Sequence, residues 1–149
     1  LVETIENIKK FMDSIFEKND IKCFLTYDND MILHCNRNDF SQAILNILDN
    51  SMYALINNQS PENRIIIIDL NSNILQIKDS GNGIDENILS KIFEPYFTTK
   101  HEAFGVGLGL YIVNELFVKH MNYKIDIQNV TFTFENKTYT GTNFIIDFN

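Results

Sequence analysis

Phe104-Gly105-Val106-Gly107-Leu108-Gly109-Leu110 is the stretch on which the fold turns. Three glycines alternate with Val106 and Leu108, and the segment runs directly into Tyr111-Ile112-Val113-Asn114-Glu115-Leu116-Phe117-Val118. That continuation is apolar at helical spacing, which predicts a buried helix over 106–120. A glycine-rich entry to a helix gathers unpaired backbone N–H groups and the positive end of the helix dipole at one place. Glycine also lets an anion approach the backbone closely, and phosphate is the usual guest there. A tight loop before an ordinary helix would have the same composition. No Gly-Lys-Ser/Thr follows, so this is not a P-loop. The spacing is Gly-x-Gly-x-Gly with no strand in front, so it is not the dinucleotide fingerprint either. Two phosphate-binding folds are thereby set aside, and the rest of the chain has to supply the fold.

On the C-terminal side, the pattern predicts strands over 124–128, 130–135 and 142–148, with a turn at Asn136-Lys137. On the N-terminal side, the polar, glycine-bounded run 98–105 is the most loop-like part of the chain. Before it lies a short helix over 85–93, stopped by Pro95. The β-branched run 65–68 predicts a strand buried on both faces, followed by a turn at Asn71-Ser72-Asn73 and a returning strand over 74–78. A long helix over 39–56 is capped by Asn36 or Asn38 and carries Phe40, Ile44, Ile47, Leu48 and Leu55. Short strands over 21–27 and 31–35 flank the turn Asp28-Asn29-Asp30. The chain opens with an amphipathic helix over 2–18 bearing Ile5, Ile8, Phe11, Met12, Ile15 and Phe16. There are no repeats, no linker and no strict βαβ rhythm. The expectation is one domain over 1–149, an α+β two-layer sandwich with a mixed, mostly antiparallel sheet covered on one face by helices.

Composition narrows the function. The chain has 149 residues, 44% of them hydrophobic, which suits one packed core. A net charge of -8 without a Lys/Arg cluster argues against nucleic acid and against an anionic membrane surface. A phosphate ligand would then depend on backbone donors, a metal and a few lysines. No apolar run reaches the length of a membrane span. Cys23 and Cys35 have no metal-ligand partner nearby and read as small residues in a reducing compartment, here the cytoplasm. The first residue is Leu1 and not methionine, which reads as a piece of something longer.

Three more segments carry chemistry. In Gln42-Ala43-Ile44-Leu45-Asn46-Ile47-Leu48-Asp49-Asn50-Ser51-Met52-Tyr53-Ala54, Asn46 and Asn50 share one helix face with Tyr53 and Ala54. Two amides there are either surface asparagines or the oxygen donors for a hard cation with its water shell. In Lys78-Asp79-Ser80-Gly81-Asn82-Gly83-Ile84, a carboxylate ends an apolar strand at the mouth of a backbone turn. It either caps that turn or accepts a donor such as a base amino group. In Lys91-Ile92-Phe93-Glu94-Pro95-Tyr96-Phe97-Thr98-Thr99-Lys100, aromatic residues flank a helix end before a polar loop with one lysine. A satellite aromatic cluster under a loop has the same look.

In this order the four segments resemble the N, G1, F and G2 boxes of the histidine-kinase catalytic and ATP-binding domain. That domain belongs to the gyrase, Hsp90, histidine kinase and MutL superfamily, whose ATP-binding fold is the Bergerat fold. The run from Phe93 to Leu110 is most similar to the branch of the nitrogen-regulation sensor kinases, and Gly141-Thr142-Asn143-Phe144 looks like the last box. The resemblance covers the chain from Val2 to Phe148.

The resemblance implies ATP and Mg²⁺ as cofactors. Asn50 corresponds to the metal-holding asparagine, with Asn46 one turn before it near the phosphates and Tyr53 three residues after it. Asp79 corresponds to the acceptor for the adenine amino group, and Gly81, Gly83 and Ile84 to the backbone against the base. Phe93 and Phe97 would support a lid formed by Thr98 to Phe104, in which Thr98, Thr99 and Lys100 face the nucleotide. Gly105, Val106, Gly107, Leu108, Gly109 and Leu110 would supply the lid hinge and the phosphate-facing helix start. Thr142 would help place a water beside the adenine. Asn46 and Lys100 would be the catalytic pair.

The implied partners are a histidine-phosphoacceptor dimerisation domain of the same protein and a cognate response regulator, in a homodimeric parent whose membrane anchoring is left open. Two departures stand out. Tyr53 occupies a position that is Lys or Arg in many sensor kinases, and the hairpin from Val130 to Tyr139 is longer than the family norm. None of His34, His101 and His120 looks like the phosphoacceptor. Hydrolytic relatives carry a glutamate where this chain has Asn46, and an amide cannot take a proton at neutral pH. The expectation is therefore a kinase domain, with a hydrolytic ATPase or a non-catalytic nucleotide-binding module as the alternatives.

Overall fold

Val2, Ile5, Ile8, Met12 and Phe16 form the buried face of the first helix, α1 (Val2–Lys18). Phe11 and Ile15 extend the apolar pattern in sequence but point outward, at 74% and 39% exposure. The structure, a computed structural model, describes residues 1–97 and 108–149. After α1 come β1 (Lys22–Tyr27), α2 (Arg37–Asn58), β2 (Ile65–Asn71), β3 (Ile74–Asp79), α3 (Gly109–Asn114), β4 (Lys124–Phe134) and β5 (Lys137–Asp147). The expected α+β class holds. The strands form one sheet in the order β1-β2-β3-β5-β4, with β1 parallel to β2 and every other pair antiparallel.

The helices pack on one face of this sheet. Strand alternation sends Ile66, Ile68, Leu70, Leu75, Ile77, Ile127, Phe144 and Ile146 toward them, into a core shared with Phe40, Ile44, Ile47, Leu48, Val113 and Phe117. Helix α2 starts at Asn36, whose side chain accepts from the amides of Asn38 and Asp39 and so satisfies two of the orphan donors. Its C-terminus and that of α1 are tied by one guanidinium. Arg64 donates to Asn19 O at 2.8 Å, Gln59 O at 3.0 Å and Ile56 O at 3.4 Å. A cation at two helix C-termini also complements both dipoles.

Three sequence expectations change. Residues 31–35 do alternate, with Met31, Leu33 and Cys35 packed against the core. They form no strand, because among the described residues no strand lies beside them; Met31 O accepts instead from Leu1 N. The helix expected over 85–93 is a chain of three-residue turns, with Ile88, Lys91, Glu94 and Phe97 each donating to the carbonyl three residues back. Only Ile92 in this run is buried, so packing does not repay an α-helical nucleus. The break expected at 129 is absent, the strand expected to start at 142 starts at Lys137, and β4 and β5 pair from Lys124↔Asp147 to Phe134↔Lys137. The turn joining them is Glu135-Asn136, one residue earlier than expected, with φ of 48° and 63°. Positive φ at both central residues matches the right-handed twist of a hairpin.

This hairpin outruns the rest of the sheet. β3 pairs with β5 only as far as Lys78↔Asn143, so the ribbon from 129 to 142 is free to curl across the face away from the helices. Its tip lands on the opposite edge of the sheet. Phe134 meets Phe24 of β1 at a ring-centroid distance of 4.7 Å. Lys137 hydrogen-bonds Asn63, just ahead of β2. Ile65 and Ile67 point to this face and are nonetheless buried, as a ribbon folded over it requires.

Beyond α3 the helix continues as a π-helical turn over Glu115–His120, with Met121 N donating to Leu116 O. His120 Nδ1 lies 3.5 Å from Asp39 at the start of α2.

Candidate functional site

The inner face of the sheet is apolar along the row Ile68–Ile77–Phe144–Ile127. One step further along, the row reads Ile66–Asp79–Thr142–Asn129, and it turns polar. Asp79 is 1% exposed. Its Oδ1 accepts from the amides of Gly81 at 2.9 Å and Thr142 at 3.3 Å. Its Oδ2 is buried with no partner among the described residues. Burial pushes the carboxyl up to about 6, against the pull of the Gly81 and Thr142 amides and the Ser51 hydroxyl. Ser51 lies on α2, and its Oγ is itself buried without a well-formed hydrogen bond, so its help is the weakest of the three.

Chain geometry makes this arrangement possible. A Cβ on Gly141 would sit 1.6 Å from Asp79 O, so β5 reaches the end of β3 only because residue 141 is glycine. A Cβ on Gly81 would meet the Ala54 side chain at 2.8 Å, so the turn after Asp79 lies directly on α2.

Along α2, a stripe at four-residue spacing borders the row: Asn46, Asn50, Ala54 and Asn58. Asn46 Nδ2 donates to Gly109 O, the first residue of α3, at 3.4 Å. Ala54 abuts Gly81, and Asn58 Nδ2 donates to Gly81 O at 3.3 Å. Asn46 and Ala54 are eight residues apart in sequence, about 12 Å along the axis. Asn50, half-buried, lies midway between the α3 start and the Gly81 turn. Tyr53 is half-buried on the same stretch of helix.

The turn continues through Asn82 and Gly83. Asn82 N donates to Thr140 O, and its side chain engages Asn58 O and Gln59. Gly83 has a φ of +80°, a conformation that side chains rarely adopt. Ile84, Phe93, Phe97 and Leu110 pack against the edge of the core, and Leu108 is half-buried. The structure therefore draws Asn46, Asn50, Tyr53, Asp79, Gly81, Gly83, Ile84, Leu108, Gly109 and Thr142 toward one end of the sandwich. Thr98, Thr99, Lys100, Gly105, Val106 and Gly107 lie outside the described residues, as does His101.

Sequence reasoning passed over Gly141, Asn129 and Ser51. Gly141 had a signal, since it precedes Thr142 in the Gly-Thr-x-Phe segment. Ser51 lies within the Asn46–Ala54 segment, where helical spacing does not reveal that its hydroxyl faces a carboxylate. Asn129 stands inside an ordinary alternating strand and had none.

Chemically, a buried acceptor with a free lone pair calls for a neutral or cationic donor, and an exocyclic amino group on a flat ring meets that need. The amide oxygens of Asn46 and Asn50 suit a hard cation. Among the described residues no group of three or more His, Cys, Asp and Glu could hold a metal, so such an ion would need oxygens from its ligand as well. No described helix is long and apolar enough to cross a membrane.

The family model for histidine kinase-, DNA gyrase B- and HSP90-like ATPases matches residues 35–149. The two-component sensor PprA of Pseudomonas aeruginosa is 32% identical over 105 residues, which cover 66% of this chain and 11% of that protein. The chain spans roughly a tenth to a fifth of the length of such curated relatives, at 11%, 12% and 20%. Among solved structures, a nucleotide-free catalytic domain of histidine kinase ThkA superposes with a TM-score of 0.78 at 28% identity, covering 98% of this chain and 91% of that one. ThkA in complex with the response regulator TrrA superposes with a TM-score of 0.71 at 23% identity, covering 100% of this chain and 40% of that one.

Proposed function

The chain belongs to the histidine kinase-, DNA gyrase B- and HSP90-like ATPase family and is a histidine-kinase catalytic, ATP-binding domain, and on that premise we propose that it binds ATP with Mg²⁺ and presents the γ-phosphate to a histidine on a separate dimerisation domain of its parent protein. A cognate response regulator is the next acceptor, as the assembly of ThkA with TrrA illustrates for that kinase. The parent is a homodimer. The domain over 1–149 acts as one unit, with its membrane anchoring, if any, supplied elsewhere.

The observation that carries this reading is the Asp79 carboxylate. It is buried, fixed through Oδ1 by two backbone amides, and left with an unpartnered Oδ2. In the proposal Oδ2 accepts from the adenine amino group, while Gly81, Gly83 and Ile84 flank the base and Thr142 holds a bridging water. Asn50 supplies an oxygen to Mg²⁺, whose charge neutralisation is the chemistry the metal brings to phosphoryl transfer. Asn46 and the start of α3 at Leu108, Gly109 and Leu110 border the phosphates, with Tyr53 further along the same helix. Phe93 and Phe97 support the segment that carries Thr98, Thr99, Lys100, Gly105, Val106 and Gly107, and Lys100 is assigned to the phosphates. Asn46 cannot deprotonate water, which favours transfer to a histidine over hydrolysis.

Calorimetric titration with ATP and GTP, each with and without EDTA, tests the assignment. ATP should bind in a Mg²⁺-dependent way. GTP should bind about 5-fold to 150-fold more weakly, because its ring carbonyl would face a buried acceptor at a cost of about 1–3 kcal/mol. Equal affinities for the two nucleotides would remove Asp79 from base recognition, and equal ATP affinity with EDTA would remove the metal.

A further inference from the structure

We propose that Asn129 of β4 is a positioning residue of the nucleotide site, holding the Gly83–Ile84 turn in the shape that the base pocket requires. The inference rests on the function proposed above. Asn129 Nδ2 donates to Ile84 O at 2.6 Å, and Asn129 Oδ1 accepts from Ile84 N at 2.7 Å. The same Nδ2 also donates to Glu86 Oε1 at 3.1 Å. One side-chain amide thus does for Ile84 what a neighbouring strand would do, pairing both its backbone groups. Among the described residues nothing else bonds the Ile84 backbone.

The rest of the turn is anchored by other means. Gly81 is held by Asp79 and Asn58, and Asn82 by Thr140 O and the end of α2. Residues 83 and 84 depend on Asn129. Gly83 stands at φ +80°, and a Cβ there would lie 2.7 Å from Asn129 Oδ1, so the amide and the glycine backbone are in close contact. A glycine released from that contact has wide conformational freedom. The apparent affinity of a ligand falls in proportion to the fraction of protein in the competent shape. Aspartate at 129 would keep the acceptor for Ile84 N but lose the donor to Ile84 O and face Glu86 with a like charge. Glutamine would be one methylene too long for the two-pronged contact.

Because Asn129 sits where β4 and β5 begin to leave the sheet, it also makes the long hairpin part of the site. Nothing in the apolar alternation of β4 required an asparagine there. The amide is needed for the turn, and the turn is needed for the base.

The test compares wild type, Asn129→Ala and Asn129→Asp. It measures ATP and GTP by competition against a fluorescent ATP analogue, amide exchange at Ile84, and thermal unfolding. Asn129→Ala should weaken ATP about 10-fold, narrow the gap between ATP and GTP, and speed exchange at Ile84. Asn129→Asp keeps the bond from Ile84 N but sets a carboxylate oxygen against Ile84 O and Glu86, so it should weaken ATP at least as much as alanine does. A merely structural residue would lower the unfolding temperature and leave affinity and base preference untouched in the folded protein, and that result overturns the proposal. If the alanine variant does not fold, Gly83→Ala strains the same turn against an intact Asn129. It should weaken ATP by a similar factor, and unchanged binding there also overturns the proposal. Wild type that fails to bind ATP sinks the proposed function itself and the role of Asn129 with it. Wild type that binds while the variants bind equally well sinks only the inference.

Discussion

Asp79→Asn should make the protein more stable at pH 8 while weakening its hold on ATP. The carboxyl has an ordinary value of 3.8 and stands at about 6 in the fold. Because the folded value is the higher one, this group contributes most to stability below 3.8 and loses that contribution as pH rises through about 6. At pH 8 the buried, ionised carboxylate therefore costs about 3 kcal/mol, at about 1.4 kcal/mol for each pH unit between the two values. Asparagine keeps the oxygen that accepts from Gly81 and Thr142. It leaves an NH₂ without a partner where Oδ2 was, a cost of about 1 kcal/mol.

The net gain is about 2 kcal/mol, or about 4–8 °C in unfolding temperature for a chain of this size. At pH 4 the wild-type group is protonated in the fold and the advantage should vanish. Thermal unfolding of both proteins at pH 4 and pH 8, without nucleotide, measures this. A variant less stable than wild type at pH 8, or an advantage of equal size at both pH values, would refute the reasoning. ATP titration should meanwhile show the variant to be the weaker binder, so the site keeps its carboxylate at the expense of stability.

Three further outcomes are expected. Gly141→Ala drives a methyl to within 1.6 Å of Asp79 O, so β5 must separate from the end of β3; a loss of about 4 kcal/mol or more in urea unfolding is expected, and a loss under 1 would contradict the close approach. Phe134→Ala removes a half-buried ring that packs on Phe24; it should cost about 1–2 kcal/mol, below the range for a fully buried Phe, and expose Ile65 and Ile67 to hydrogen exchange, whereas unchanged exchange there would show that the ribbon does not cover them. Cys23 is half-buried and desolvation pushes its thiol up to about 12, so iodoacetamide at pH 8 should label it more slowly in the folded protein than in urea, and equal rates, read by mass spectrometry, would contradict that shift.

Local rules reached far in this chain, and their failures share a cause. Helix α1 follows from apolar residues three and four apart, and the start of α2 from an asparagine with the right side chain at its cap. Both depend on neighbours in sequence. The segment 31–35 alternates as a strand should, yet pairing depends on which strand lies beside it, and its sequence holds no trace of that. The run 85–93 has helix-forming residues but too little to bury. At the candidate site, the turn through Asp79, Gly81 and Gly83 was legible because turn chemistry is local. Asn129 and Gly141 act on residues 45 and 62 positions away, where the sheet order brings them, and Ser51 acts on one 28 positions away through the packing of α2 on the sheet.

The placement of β5 has a consequence for how the protein is made. It is the last strand in the chain, and it inserts between β3 and β4 as an interior strand of the sheet. During synthesis at about 5–20 residues per second, α2 and the Asp79 turn leave the ribosome well before Thr142 and Gly141 can close over them. Until then β3 has an open edge where β5 belongs, and the Asp79 carboxylate lacks one of its two amide donors. Contacts so distant in sequence form only after the whole loop-closure entropy has been met. The growing chain therefore lacks the completed Asp79 pocket, and on the function proposed above nucleotide is a ligand of the finished domain and not a template for its folding.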